Sequence, residues 1–583
     1  MLRTACICLL AALAAAPAAA AARTQVLAPG IGYEKQLEFT RHGPIVLHVL
    51  TAPKPGGLYT LEPVLSNGVI PGRETITQMQ RRLSPFATAA GINGDFATAD
   101  GVPNGTFLQD GVYKSEPNPG RSSIGIDALG NLVVQRHGLL STWQGSNQRR
   151  ALVGINRPPG PNGVTIFTPA WGGVTPQATG TIESIVVPFP ALTPGAELRG
   201  QVVQVNSSGG GTPIPANGAV LVARGGMAAR LAQEAGPGVN VNVRLVPHPA
   251  WPGVQDAIGG GPQLVRNGRP VFRAAEEFST EVLSLREPRA AVGQRRDGGI
   301  VMVAADGDQG GYSVGLTNFE LAQALVRLGC VTGAALEAGP STAMAFDGTL
   351  LSRPAAQLER PVSEGLFVLY QGVHAPDPDP LVLSPNKDGV GERQLFRYKL
   401  PRNAAVAVRL IGPDGAFRYS ENSSKTRGWY QLSWPGTKVD ESVELEGTWS
   451  WVVTALDEES QSSSVERRFT LNTTLGFLRA SRAGASFRLA RPARVTVTME
   501  TRKGAVVGTL LSRQLGAGPA VARWAGRPLP RGRYVLRVAA TNQLGRSELT
   551  ADVRWSHSRR SPASSPTRSP ARSATTASTR SSV

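Results

Sequence analysis

From Ala375 to Pro380 the chain reads Ala-Pro-Asp-Pro-Asp-Pro, and no regular element can run through it. Proline lacks a backbone N–H and locks φ, so alternating prolines support neither a helix nor the ladder of a central strand. The chain is cut there into two regions of different character. Beyond the cut the sequence repeats itself. Phe396-Arg-Tyr-Lys-Leu-Pro-Arg precedes a strand at 405–410, and Phe487-Arg-Leu-Ala-Arg-Pro-Ala-Arg precedes one at 495–499. Trp434-Pro-Gly leads to Gly447-Thr-Trp-Ser-Trp-Val-Val-Thr-Ala, and Trp524-Ala-Gly leads to Gly532-Arg-Tyr-Val-Leu-Arg-Val-Ala-Ala. In each copy a glycine turn opens a strand whose apolar residues recur at every second position. The repeat predicts two all-β sandwiches, residues 381–472 and 473–555.

Before the cut, residues 26–371 have one composition: short apolar strands, many glycines and two helices. One helix is expected at 74–83. The other is expected at 318–328, with Thr317 as N-cap, Glu320 as its capping-box partner and Gly329 as the stop. Leu321, Ala324, Leu325 and Leu328 fall at helical spacing. Strands are expected at 45–50, 124–126, 132–134, 202–205, 300–304 and 366–370. The expectation is an α+β domain, a mixed sheet with helices, ahead of the two sandwiches. With 583 residues the chain is too long for one core.

The two ends speak to location. Residues 1–22 run from Met1-Leu2-Arg3 through an apolar stretch to a string of alanines, the order of a secretory signal peptide with cleavage between Ala20 and Thr24. Its apolar part is shorter than the ~20 residues of a membrane span, and no later stretch approaches that length. A secreted or envelope-associated protein without a transmembrane span is expected. Residues 556–583 carry arginines, serines and prolines with no acid and no large apolar residue, the composition of a disordered basic tail. The tail, together with a net charge of +18 over the whole chain, suits an anionic envelope polymer; a solvated tail with no specific job fits equally, and no specific nucleic-acid partner is expected. Of three cysteines only Cys330 lies outside the signal, in an apolar context that suits an inert buried thiol. Six histidines without metal-ligand spacing argue against catalytic zinc, and no cofactor is expected for catalysis.

Four glycine-rich segments of the first region carry candidate chemistry: Gly91-Ile-Asn-Gly-Asp-Phe96, Ala257-Ile-Gly-Gly-Gly-Pro-Gln-Leu-Val-Arg-Asn-Gly268, Pro288-Arg-Ala-Ala-Val-Gly293 with the later Asp306-Gly-Asp308, and Ala335-Leu-Glu-Ala-Gly-Pro-Ser-Thr-Ala-Met344. Singly each reads as a turn. In their order and spacing, with Arg360-Pro-Val-Ser beyond them, they resemble the phosphodiester glycosidase family, whose best-known member removes N-acetylglucosamine from a mannose phosphodiester. The likeness runs from Val26 to Tyr370. It departs from the family pattern at Ala290 in place of threonine, at Asp308 in place of arginine, and at Glu337-Ala-Gly-Pro340 in place of Asp-Gly-Gly-Gly. The sandwiches resemble the Ig-like domains of flagellar hook-capping proteins.

The resemblance implies an exported hydrolase cleaving a sugar-1-phosphodiester in an envelope or extracellular polysaccharide. Such a bond already carries a good leaving group, so the site needs a cation for the phosphate and a carboxylate for water. Arg289 is the candidate cation, because its planar fork binds two oxygens. Asp95, Asp306 and Glu337 are the candidate carboxylates, and Asn93, Gly260, Gly261, Ser341 and Thr342 the candidates for binding the glycosyl phosphate. A non-catalytic envelope carbohydrate-binding protein with Ig-like spacers is the alternative, favoured by the altered Glu337 loop. A separate segment opens the first sandwich: Asn386, Asp388 and Glu392 surround a glycine turn at the spacing of a Ca²⁺ loop, with a plain Asp-Gly turn as the other reading.

Overall fold

The computed structural model describes residues 24–271 and 276–556. The signal-peptide segment and the tail from 557 onward lie outside the described residues. The described chain is mostly β, with 52% strand and 7% helix. The expected α+β class is therefore corrected toward β: the Gly- and Pro-rich stretches between the expected strands hold many further short strands. The two expected helices form where an amphipathic period and a cap coincide, and Gly226–Glu234 and Thr280–Ser284 add two more. Helix Ile76–Leu83 starts at Thr75 with a capping box to Gln78, and helix Asn318–Arg327 starts at Thr317 with one to Glu320. A cap of this kind contributes about 1 kcal/mol.

The first unit is built around an antiparallel eight-stranded sheet. Its order is Gln25–Ala28, Ile31–Thr40, Gly43–Ala52, Ile300–Ala305, Arg289–Arg295, Cys330–Ala335, Gln263–Arg266, Arg269–Pro270. Alternation along the strands sends Leu47, Val49, Ala291 and Val303 to one face, where helix Asn318–Arg327 covers them with Leu321 and Leu325. Leu50, Ala290, Met302 and Ala304 go to the other. There they meet Ala90, Ile92, Leu366 and Val368 from a five-stranded sheet containing Thr88–Asn93 and Glu364–Tyr370. Ile124, Ile126 and Ile258 join the same core from a second five-stranded sheet, which holds Ser122–Asp127 and Val254–Gly259. Three sheets thus share one core, and the ends of Thr88–Asn93, Val254–Gly259, Cys330–Ala335 and Glu364–Tyr370 meet at its rim. A further eight-stranded sheet, built from strands between Gly138 and His248, has its own core around Trp143, Leu221 and Val243.

Two β units follow. The first pairs a five-stranded sheet with a two-stranded sheet of Gln394–Leu400 and Gly428–Trp434 over a core of Phe396, Trp449, Trp451 and Phe469. The second pairs three strands with four around Phe487, Val497, Leu536 and Val538. The repeat read in the sequence maps onto equivalent strands, Gly447–Asp457 and Gly532–Asn542. The units are joined by specific contacts. Lys399, 1% exposed, reaches from the first sandwich to Asp347 (2.8 Å), Ser84 Oγ (3.2 Å) and the carbonyl of Ala87 (3.2 Å) in the first unit.

The loop that opens the first sandwich joins it to the second. Asp388 accepts from its own loop at Val390 N (2.9 Å) and from Phe477 N (2.7 Å) across the junction, while Asn386 Nδ2 donates to the carbonyl of Leu475 (3.3 Å). Glu392 accepts from Gly389 N at 3.0 Å. Asn386, Asp388 and Glu392 thus each have a backbone amide as donor to a side-chain oxygen. Among the described residues no group of three or more His, Cys, Asp or Glu is arranged to hold a metal ion. No helix among them is long and apolar enough to cross a membrane.

Candidate active site

The rim where the strands end is tied together by backbone hydrogen bonds. Glu337 N donates to Gly94 O (2.9 Å), Leu336 N to Ala290 O (2.9 Å), Gly261 N to Ala335 O (2.9 Å), and Gly94 N to Glu364 O (2.9 Å). Asn93 acts as a clamp. Its Nδ2 donates to Glu337 O (2.8 Å), and its Oδ1 accepts from Ala343 N (3.2 Å). Asn93, Asp95, Gly260, Gly261, Glu337, Ser341 and Thr342 therefore converge, although the N–H of Gly261 and the side chain of Asn93 are spent on holding the frame.

At the centre lie three carboxyl groups. Asp95 is 1% exposed, and neither of its oxygens has a hydrogen-bond partner. Two glycines make room for it: a Cβ on Gly259 would stand 2.1 Å from Asp95 Oδ2, and one on Gly105 would stand 2.5 Å away. Burial pushes the Asp95 carboxyl up to about 6, against the pull of the Arg121 charge and the Phe96 amide. Glu364, at the start of its strand, is fully buried and accepts from Asp95 N at 3.2 Å. Burial and then the neighbouring charge of Asp95 raise it well above the ordinary range. Glu337 is the member that reaches solvent. Burial raises it, while a hydrogen bond from Ser341 and the charges of Arg360 and Arg73 draw it down. Thr342 Oγ1 is buried beside this turn without a partner.

The expected cation is held by carbonyls on one side. Arg289 is 2% exposed: Nε donates to Leu316 O (3.1 Å), and Nη2 to Val282 O (2.8 Å) and Leu285 O (2.7 Å), with Glu287 at 3.0 Å. Through Nε and Nη2 it braces the short helix Thr280–Ser284 against the sheet. Asp306 is likewise engaged elsewhere, by His48 Nε2 (2.8 Å), Tyr312 OH (3.0 Å) and Arg353 N (2.9 Å). Of the four charged residues expected to share one pocket, Asp95 and Glu337 lie close enough for Asp95 to act on the Glu337 charge, while the hydrogen bonds of Arg289 and Asp306 belong to separate networks.

Their place is taken by three arginines. Arg121 Nη1 stands 3.9 Å from Asp95 Oδ1, with its guanidinium between the rings of Phe96 (4.3 Å) and Phe278 (4.5 Å) and its buried Nε unpartnered. It also lines a polar cleft of about 430 Å³ with Asn104, Glu116, Asn118, Arg157 and Glu277. Arg73, anchored on Thr98 O at 2.7 Å, and the exposed Arg360 flank Glu337. Arg360 opens the Arg-Pro-Val-Ser segment, and Glu364 is the residue after it, so both were within reach of the sequence pattern. Arg121 follows Pro117-Asn-Pro-Gly120 and has no local signal, since its role comes from aromatic rings distant in sequence.

The phosphodiester glycosidase family matches residues 194–369. That span holds Gly260, Gly261, Arg289, Asp306, Glu337, Ser341, Thr342 and Glu364, whereas Asn93, Asp95 and Arg121 precede it. The SPbeta prophage-derived protein YomE of Bacillus subtilis is 29% identical over 118 residues, which are 20% of this chain and 18% of that protein. A hypothetical protein from Synechocystis of known structure is 25% identical with a TM-score of 0.52, covering 60% of this chain and 64% of its own. The catalytic domain of zebrafish N-acetylglucosamine-1-phosphodiester alpha-N-acetylglucosaminidase, auto-inhibited by its pro-peptide, is 12% identical with a TM-score of 0.32, covering 59% and 83%. The chain thus spans under a fifth of the curated relative's length and less than two thirds of the Synechocystis chain.

Proposed function

We propose, from the premise that the first unit carries a phosphodiester glycosidase domain, that this chain hydrolyses the bond between a sugar C1 and a phosphodiester oxygen. The observation that carries the reading is Glu337: a solvent-reaching carboxyl held by Ser341 and flanked by Arg73 and Arg360. The two arginines offer charge to a phosphate, and Arg121 with its polar cleft suits a hydroxylated group on the substrate. Water adds to C1 and the C1–O bond breaks. Glu337 takes the water proton, and the phosphate leaves as a monoester whose second pKa near ~6 makes protonation by the enzyme unnecessary. The arginines stabilise the leaving charge. An export signal at 1–22 and the two β units support a substrate in an envelope or extracellular polysaccharide.

The test is incubation of the purified chain with a glycosyl-1-phosphodiester and detection of free sugar and phosphomonoester together. Glu337→Gln should leave melting unchanged and remove turnover, a loss of order 10²-fold or more. The engagement of Arg289 Nε and Nη2 by carbonyls favours a second reading, a carbohydrate-binding protein without turnover. Wild-type chain that binds the diester without cleaving it, with the same affinity in Glu337→Gln, would select that reading.

A further inference from the structure

Glu364 has no role in the reaction as drawn above, yet it is a fully buried carboxyl set beside another. Hydrogen-bond accounting exposes the problem. Glu364 Oε1 accepts from Asp95 N at 3.2 Å, but Glu364 Oε2 and both oxygens of Asp95 are buried with no donor. Packing gives Glu364 nowhere to turn: a Cβ on Gly94 would lie 2.7 Å from its Cγ and 2.7 Å from Ile258 Cδ1. The charged groups that face Glu364 are Asp95, from the end of its neighbouring strand, and Glu337, from the end of Cys330–Ala335. Both are acids. The nearest cation, Arg121, stands 3.9 Å from Asp95, and Arg73 and Arg360 attend Glu337. Two buried carboxylates served by one arginine cannot both stay ionised, because each charge pays desolvation and repels the other.

We propose that Glu364 and Asp95 carry a single proton between them, with Glu364 protonated and Asp95 keeping the negative charge that Arg121 faces. One proton on Glu364 removes one of two neighbouring buried charges and leaves a single carboxylate opposite Arg121. Glu364 is then a positioning residue. It sets the charge and orientation of Asp95, and through Asp95 the field in which Glu337 works. The arrangement resembles an acid pair that ionises in two steps, each belonging to the pair. The raised ionisation of Glu364 and Asp95 agrees with it.

The inference rests on the proposed hydrolase reading, so its test separates the two. Infrared spectra of the full chain at neutral pH should contain a buried protonated-carboxyl band that Glu364→Gln removes. The wild-type band should vanish only on alkaline titration. This readout does not depend on turnover. In activity, Glu364→Gln supplies a neutral donor of the same shape and should keep turnover within roughly tenfold of wild type while losing the alkaline limb of the pH profile; Glu364→Ala should lose far more. If Glu364→Gln does not fold, Asp95→Asn replaces it, and the Glu364 band should shift because the neighbouring charge is gone. Absence of a protonated-carboxyl band at neutral pH, or a band unaltered by either variant, overturns the shared proton. A band that behaves as described in a chain that never cleaves a sugar phosphodiester keeps the shared proton and rejects the hydrolase.

Discussion

Arg289 and Asp306 stand one register step apart on neighbouring strands of the central sheet, and their side chains leave it on opposite faces. Arg289 pairs with Ala305 across the ladder, so Asp306, the next residue, points the other way. Arg289 goes to the helix side and binds Leu316, Val282 and Leu285, while Asp306 goes to the side of His48. A one-residue offset is enough to keep the two charges from forming a common site.

Arg289→Ala should therefore act on stability. Three carbonyls lose their donor and Glu287 loses its partner, a cost of about 2–4 kcal/mol. Arg73→Ala and Arg360→Ala, at a half-buried and an exposed residue, should change melting much less than Arg289→Ala and raise KM for a phosphodiester. Thermal denaturation beside kinetics on the three variants checks the contrast, and an Arg289→Ala chain of unchanged stability would contradict it.

Asp95 makes a prediction about pH. Its folded pKa of about 6 lies above its ordinary value of 3.8, so the folded state holds the proton more tightly. Stability is then fully favoured below the unfolded value and declines as pH rises from about 4 to about 6, after which the penalty is constant. Two units correspond to about 3 kcal/mol. Asp95→Asn should raise the melting temperature above neutral pH, lose that advantage below pH ~4, and abolish turnover. Equal stabilisation at both pH values would refute the assignment.

Asp388 is expected to hold the junction of the two sandwiches. Asp388→Ala removes the acceptor for Phe477 N and should broaden the range of interdomain angles in small-angle scattering, with little change in either domain's melting. Added Ca²⁺ should leave the wild-type scattering unchanged. Binding heat at millimolar Ca²⁺ that Asp388→Ala abolishes would support the metal-loop reading.

Lys399 couples the first sandwich to the first unit. Lys399→Met keeps the stem but leaves Asp347 and the carbonyl of Ala87 without their cation, at a cost of about 3 kcal/mol. Calorimetry should then resolve separate melting of the two units where the wild type shows them together. A single unshifted transition would mean that the contact carries no coupling.

Much of this protein is decided locally. The Pro-Asp segment at 375–380 and the Trp-to-Gly repeat place the second region and its paired strands, because proline chemistry and a period of two act within a few residues. Thr317 with Glu320 starts a helix where the sequence says one should start, since a cap needs only its own turn. The convergence of Asn93, Asp95 and Glu337 was legible through the order of their glycine-rich boxes. What the tertiary structure alone decided is which charges are free. Arg289 looked like the phosphate-binding arginine, but packing of helix Thr280–Ser284 engages its Nε and Nη2 with carbonyls. Arg121 sits in an unremarkable turn until Phe96 and Phe278 close around it. Glu364 becomes unusual only because strand pairing buries it beside Asp95. Residue type and spacing determine elements within one or two turns of chain; desolvation and pairing depend on groups hundreds of residues away.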